Sequence, residues 1–180
     1  MNPAQSRILA AACERPAKLY RYAQRETLER SLRFGEFHLR PPERAAGAGT
    51  DQILPFGTSA AHAAYLTLSL AHHWDDALFD AVAGADCCLV IHDADQFGER
   101  IHRAAQRLLP SWAGIDAAIS YGVPSPLGQV FSKPRQQATE REWLFAWRPT
   151  QQALVNKPVT ISIGNIEGIA ELRNRGEQPG

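Results

Sequence analysis

Two carboxylates, Glu140 and Glu142, stand two residues apart immediately before the apolar run Trp143, Leu144, Phe145, Ala146, Trp147. A carboxylate that leads into a buried strand is partly desolvated and fixed in place, which suits it either to cap the strand or to act on a ligand. If the strand begins near Glu140, alternation puts both carboxylates on one face with Leu144 and Ala146, and Trp143, Phe145 and Trp147 on the other. The simpler reading is an ion pair between Glu142 and Arg141 or Arg148 at a sheet edge. Two more polar residues fall inside strand patterns. Arg21 lies in "LYRY", opposite Tyr20 and Tyr22, and Ser69 lies on the Tyr65, Thr67, Ser69 face of "AYLTLSL".

Other groups with chemical potential have plainer explanations. In "HHWDD", His72 and His73 project about 100 degrees apart on a helix and do not share an ion easily, so Asp75 and Asp76 read as charges in a helix's first turns. Asp93 in "HDAD" reads as an N-cap, not as a metal ligand with His92 and Asp95. His38 is a candidate base on a short strand, and Cys87 and Cys88 read as small core residues. No metal is expected.

The elements that must position these residues follow from periodicity and punctuation. Helix is expected over about 4–14, strand over 18–23, helix over 25–34 ending at Gly35, and a short strand in "EFHLRP". Residues 41–62 form a long loop, too long and too rich in Gly, Ala and Pro for a tight turn. A strand then covers 64–70, a helix "HHWDDALFDAVAG", a strand 86–92, and a helix from Ala94 with an apolar stripe of Phe97, Ile101, Ala104, Ala105 and Leu108. Further strands are expected in "GIDAAISYG", near Glu142 to Arg148, and over 158–164. "IEGIAELR" reads as helix or edge strand, and 174–180 as a frayed tail. These elements make one α+β domain over 1–180, with a split mixed or antiparallel sheet flanked by helices. Neither a Gly-rich phosphate loop nor strict βαβ alternation is present, which excludes Rossmann and P-loop readings.

Composition narrows the partners. The 180 residues carry 19 basic and 19 acidic side chains, and 44% are hydrophobic. Zero net charge argues against generic nucleic-acid binding, although it leaves room for a local basic patch. The apolar stretch of "SRILAAACE" is too short for a signal-peptide core, and no apolar run is long enough to span a membrane. Three cysteines make no disulfide framework. A cytoplasmic location is expected.

In chain order, Arg21, "TLS" (Thr67 to Ser69) and "EREW" (Glu140, Glu142) resemble the ADP-ribosyltransferase superfamily, in its clade with a first-strand Arg, a Ser/Thr-X-Ser strand and a Glu-X-Glu turn. "LYRY" and "FSKPRQQATEREWLF" also resemble a poorly characterised group of bacterial domains, across most of 18–148. The first resemblance implies an ADP-ribosyltransferase-like fold and cleavage of NAD, as substrate, at its nicotinamide-ribose bond. On that reading Glu142 stabilises an oxocarbenium-like transition state. Arg21 holds a phosphate, Ser69 with Thr67 belongs to the ribose-orienting strand, Glu140 prepares the acceptor, and Tyr22 or Trp74 stacks on nicotinamide. The acceptor would be a protein or another macromolecule, and the setting a toxin, effector or counter-defence factor acting in its own or a target cytosol. Two alternatives stand beside it: a catalytically silent domain that binds a partner protein, and a nucleic-acid-processing enzyme using Glu140, Glu142 and His38.

Overall fold

The computed structural model describes residues 14–42, 65–151 and 157–179. The helix expected over 4–14, except its last residue, and the loop 41–62, except its first two residues, lie outside them. The chain is an α+β fold built on a six-stranded antiparallel sheet. Along the chain come β1 (Leu19–Ala23), α1 (Arg25–Phe34), β2 (Glu36–Leu39), β3 (Leu66–Ala71), α2 (Leu78–Ala81), β4 (Cys87–Ile91), α3 (Ala94–Leu108), β5 (Trp112–Ala118), β6 (Ser120–Tyr121), β7 (Ser132–Lys133), β8 (Glu142–Pro149), β9 (Val159–Ser162) and β10 (Ala170–Asn174). The sheet order is β10-β4-β1-β3-β8-β5, while β2 and β9 form a separate antiparallel ribbon and β6 and β7 a two-residue parallel pair.

Each strand's alternation divides the molecule into two layers. One face of the sheet carries Leu19, Leu66, Leu68, Leu70, Leu89, Trp143, Phe145 and Trp147, and the main core closes over it with Leu28 of α1, Phe97 and Ile101 of α3, and Phe37 and Ile161 of the ribbon. Among the described residues the opposite face is covered only in parts. An aromatic cluster of Tyr20, Tyr22, Trp74 and Phe79 sits over β1 and β4, and a smaller one with Ala117, Ile119, Phe131 and Leu144 sits over β5 and β8.

Local chemistry sets several boundaries. Asp93 caps α3 by accepting from the Gln96 N–H at 2.8 Å, as its position before the helix requires. Gly35 ends α1 in the left-handed region at φ 64. The helix expected through "HHWDDALFDAVAG" is reduced to the four residues of α2. Its would-be first turn is drawn into the sheet's aromatic cluster through Trp74, and the Asp75 N–H donates to the Tyr22 hydroxyl at 2.9 Å. Asp75 therefore caps a turn at the Ala77 N–H, and Asp76 accepts from the Gly176 N–H. Leu108, expected in the α3 stripe, is 53% exposed at the last residue of the helix. "IEGIAELR" supplies the edge strand β10. The first residues expected to fray are held, with Asn174 inside β10 and Arg175 forming a two-pronged ion pair with Asp80.

Candidate functional site around Ser69 and Glu142

The partly covered face has its polar centre where β3 meets β8. The register pairs Ser69 with Leu144 and Ala71 with Glu142, so Ser69 and Glu142 are diagonal neighbours on one face. Ser69 Oγ donates to Glu142 Oε1 at 2.5 Å. The second carboxylate oxygen takes Lys133 Nζ at 2.6 Å and the Tyr121 hydroxyl at 3.4 Å. That hydroxyl also accepts from the Glu142 backbone N–H at 3.0 Å. Lys133 reaches Glu140 Oε2 at 3.0 Å as well, so one ammonium bridges both carboxylates. Ser69 is exposed while the Glu142 side chain is only 12% exposed: the cluster opens to solvent on the serine side.

The carboxylates come together by a different route from strand alternation. Glu140 ends a 3-10 turn over Arg135–Glu140, Arg141 adopts φ 41, and the strand starts only at Glu142. A left-handed non-glycine residue is strained unless its surroundings hold it. Here the Arg141 carbonyl accepts the His72 N–H at 2.9 Å. The kink turns Glu140 toward Lys133, and neither Arg141 nor Arg148 is the partner of Glu142.

The electrostatics follow the contacts. Burial by itself lowers the Lys133 pKa, but its bonds to Glu142 and Glu140 and their charges outweigh burial and raise it. The ammonium therefore stays charged across the physiological range. Burial pushes the Tyr121 phenol well above its usual value, with the Glu142 and Glu140 charges adding to the shift. Tyr121 thus acts as a neutral donor. Two carboxylates against one ammonium leave a net negative charge at the rim of the sheet.

Of the residues expected to share a site, Ser69, Glu140 and Glu142 do. Arg21 does not. Because Tyr20 pairs with Ala71, β1 presents Tyr20 and Tyr22 to the Ser69 face and sends Arg21 into the main core. There the guanidinium lies 5.2 Å from the Phe37 ring centroid, and its Nη1 has no hydrogen-bond partner among the described residues. Desolvation, with Arg40 adding repulsion, lowers the Arg21 pKa to about 10. Thr67 is on the Ser69 face, yet its hydroxyl donates to the Arg40 carbonyl at 3.0 Å and secures the end of β3. Tyr22 and Trp74 are on that face too, packed against each other at 5.9 Å and nearly buried. His38 stands away from the cluster, on β2, with Nδ1 2.8 Å from Thr160 Oγ1.

Tyr121 and Lys133 are the cluster members that sequence reasoning passed over. Lys133 was visible as the lysine of "FSKP", seven residues before Glu140. Tyr121 gave no local signal, since the pairing of β5 with β8, continued by the Ile119 N–H donating to the Glu142 carbonyl, is what brings it to Glu142. Among the described residues no group of three or more His, Cys, Asp or Glu is arranged to hold a metal, and no helix is long and apolar enough to cross a membrane. The chain matches no family model, and neither curated proteins nor solved structures give a significant match.

Proposed function

We propose that the Ser69–Glu142 cluster is the reactive centre of an NAD-using, ADP-ribosyltransferase-like domain that transfers ADP-ribose to a macromolecule or to water. The observation that carries this reading is the hydrogen bond between Ser69 and Glu142, which joins two separate sequence motifs on adjacent strands. Cleavage of the nicotinamide-ribose bond builds positive charge on the sugar, and a fixed carboxylate beside that sugar lowers the barrier. Ser69 and Tyr121 fix both oxygens of Glu142, so little reorganisation is needed as charge develops. The net negative charge of the Glu140, Lys133, Glu142 group is of the sign this reaction requires. Arg21 has no part in the chemistry on this reading, because it lies across the sheet.

The test is nicotinamide release from NAD by the native chain, Glu142→Gln and Ser69→Ala, with and without cell lysate as a source of acceptor. Turnover by the native chain that falls at least about a hundredfold in Glu142→Gln is expected, the size typical of a lost electrostatic group. Absence of native turnover, together with an unchanged melting temperature in millimolar NAD, removes the reading. A second reading, a catalytically silent domain that binds a partner protein, is favoured by one observation: both oxygens of Glu142 already have partners within the chain. In that case Glu142→Gln lowers the melting temperature and no NAD is consumed by either form.

A further inference from the structure

On the far side of the molecule from Glu142, α3 and β9 enclose an open groove. Arg100, Arg103 and Arg107 project into it from one helix face, and Thr160, Ser162 and Gly164 line its other wall. Spacings of three and four residues set these arginines along about 10 Å of helix. Arg100 is anchored, donating to the carbonyls of Ile163 and Asn165. Arg103 and Arg107 are exposed and have no hydrogen-bond or ion-pair partner among the described residues. Among the described residues no carboxylate lines the groove. In a chain with zero net charge, three arginines gathered along one groove form a local field that attracts a polyanion.

The flanks of the groove narrow the choice of polyanion. Phe34 is 56% exposed, and its carbonyl accepts the Ser162 hydroxyl at 2.7 Å, which sets it beside the groove wall. Leu108, 53% exposed, closes the other end. A row of arginines beside exposed apolar side chains, one aromatic, is the combination that holds single strands: charges follow the phosphates while rings take unstacked bases. A duplex hides its base faces and has no use for Phe34.

We infer that the α3–β9 groove binds single-stranded nucleic acid, with Arg100, Arg103 and Arg107 on the phosphates and Phe34 against a base. This rests on a different face from the Glu142 cluster and does not depend on the reading of that cluster.

The test is fluorescence anisotropy with labelled oligo-dT and oligo-U of about twelve nucleotides, a duplex of equal length, and inorganic polyphosphate as competitor, over a salt series. A single-strand Kd on the order of 10 μM at low salt is expected, with a log-log salt slope near about −2 from three contacts. Arg103→Gln combined with Arg107→Gln weakens binding about tenfold or more and brings the slope to roughly −0.7. Phe34→Ala weakens the single strand about fivefold or more and leaves duplex binding unchanged. All these positions are exposed, and unchanged melting temperatures verify that the variants fold. Comparable affinity for oligo-dT and oligo-U is expected from this shared chemistry. The inference is overturned by no binding at low salt, by a double arginine variant that binds like the native chain, or by a duplex or polyphosphate that binds as tightly as the single strands with no effect of Phe34→Ala.

Discussion

Asp116 is the most heavily bonded carboxylate described, and it stands directly behind the candidate site. It accepts from Arg15 Nε at 2.6 Å and Nη2 at 2.8 Å, from His102 Nε2 at 2.7 Å and from Trp143 Nε1 at 2.9 Å. It thereby joins β5, α3 and the chain before β1 to the residue that follows Glu142. Burial opposes its charge, but the bonds from Arg15, His102 and Trp143 more than compensate and hold its pKa well below the usual carboxylate range. A depressed folded-state pKa contributes stability that is present above the unfolded value, about 3.9, and is lost as pH falls toward the folded value. Asp116→Asn is expected to cost about 3 kcal/mol at pH 7, since it leaves the Arg15 charge without its buried partner. In urea melts from pH 7 down to about 2.5, the gap between the native chain and the variant should narrow progressively below pH 4; a gap that stays constant would exclude this assignment. Arg21 presents the reverse case, a core cation with no carboxylate partner among the described residues. Replacing such a charge by an apolar side chain of similar length relieves its desolvation. Arg21→Met is expected to match or exceed the native melting temperature and to leave any NAD turnover intact. A loss of turnover with the fold retained would return Arg21 to the chemistry.

At the scale of elements, the junction of α1 with the β2–β9 ribbon depends on Gly35. A Cβ there would sit 2.2 Å from the Gly164 carbonyl oxygen and 2.6 Å from its nitrogen, both backbone atoms of the neighbouring turn. Gly35→Ala therefore combines left-handed strain with a clash that only movement of the ribbon relieves, and a loss of about 3 kcal/mol or more is expected. Gly176 provides the control, because it has φ 80 with nothing near its would-be Cβ. Gly176→Ala should cost only about 1 kcal/mol, so chemical denaturation of the two variants separates strain from packing, and equal losses would refute the clash. Local elements of this kind were legible in the sequence. The alternation of "LYRY" marked β1 and put Arg21 opposite the tyrosines, Asp93 marked the start of α3, Gly35 the end of α1, and Glu140 and Glu142 marked a shared site. What stayed hidden required pairing between distant segments. Whether Arg21 or its tyrosine neighbours face Ser69 is decided by the Tyr20–Ala71 register, and a shift of one residue would reverse it. The kink at Arg141 was equally invisible, because the residue type gives no sign of a left-handed conformation and the contact that holds it comes from His72.

Across the whole molecule, the candidate site straddles parts of very different robustness. Ser69 and Glu142 belong to the sheet's interior ladder, where β3 and β8 each have a strand on both sides. Lys133 and Tyr121 belong to the two-residue pair β6–β7, tied down mainly by the Gly122 N–H donating to the Lys133 carbonyl and by a few side-chain contacts. Such a short ladder opens far more cheaply than a strand paired on both edges. β4 marks the other extreme, with all five residues buried between β1 and β10. In native-state hydrogen exchange the β4 amides should be among the slowest, and the amides of Tyr121, Gly122 and Lys133 at least about a hundredfold faster. The serine–carboxylate pair would then persist while the segment bearing Lys133 swings away, releasing one oxygen of Glu142 to a ligand without unfolding the sheet. Protection of β6–β7 equal to that of β4 would show a cluster locked as one unit, with Lys133 unable to leave Glu142, and would turn the assignment of this face toward a structural clamp.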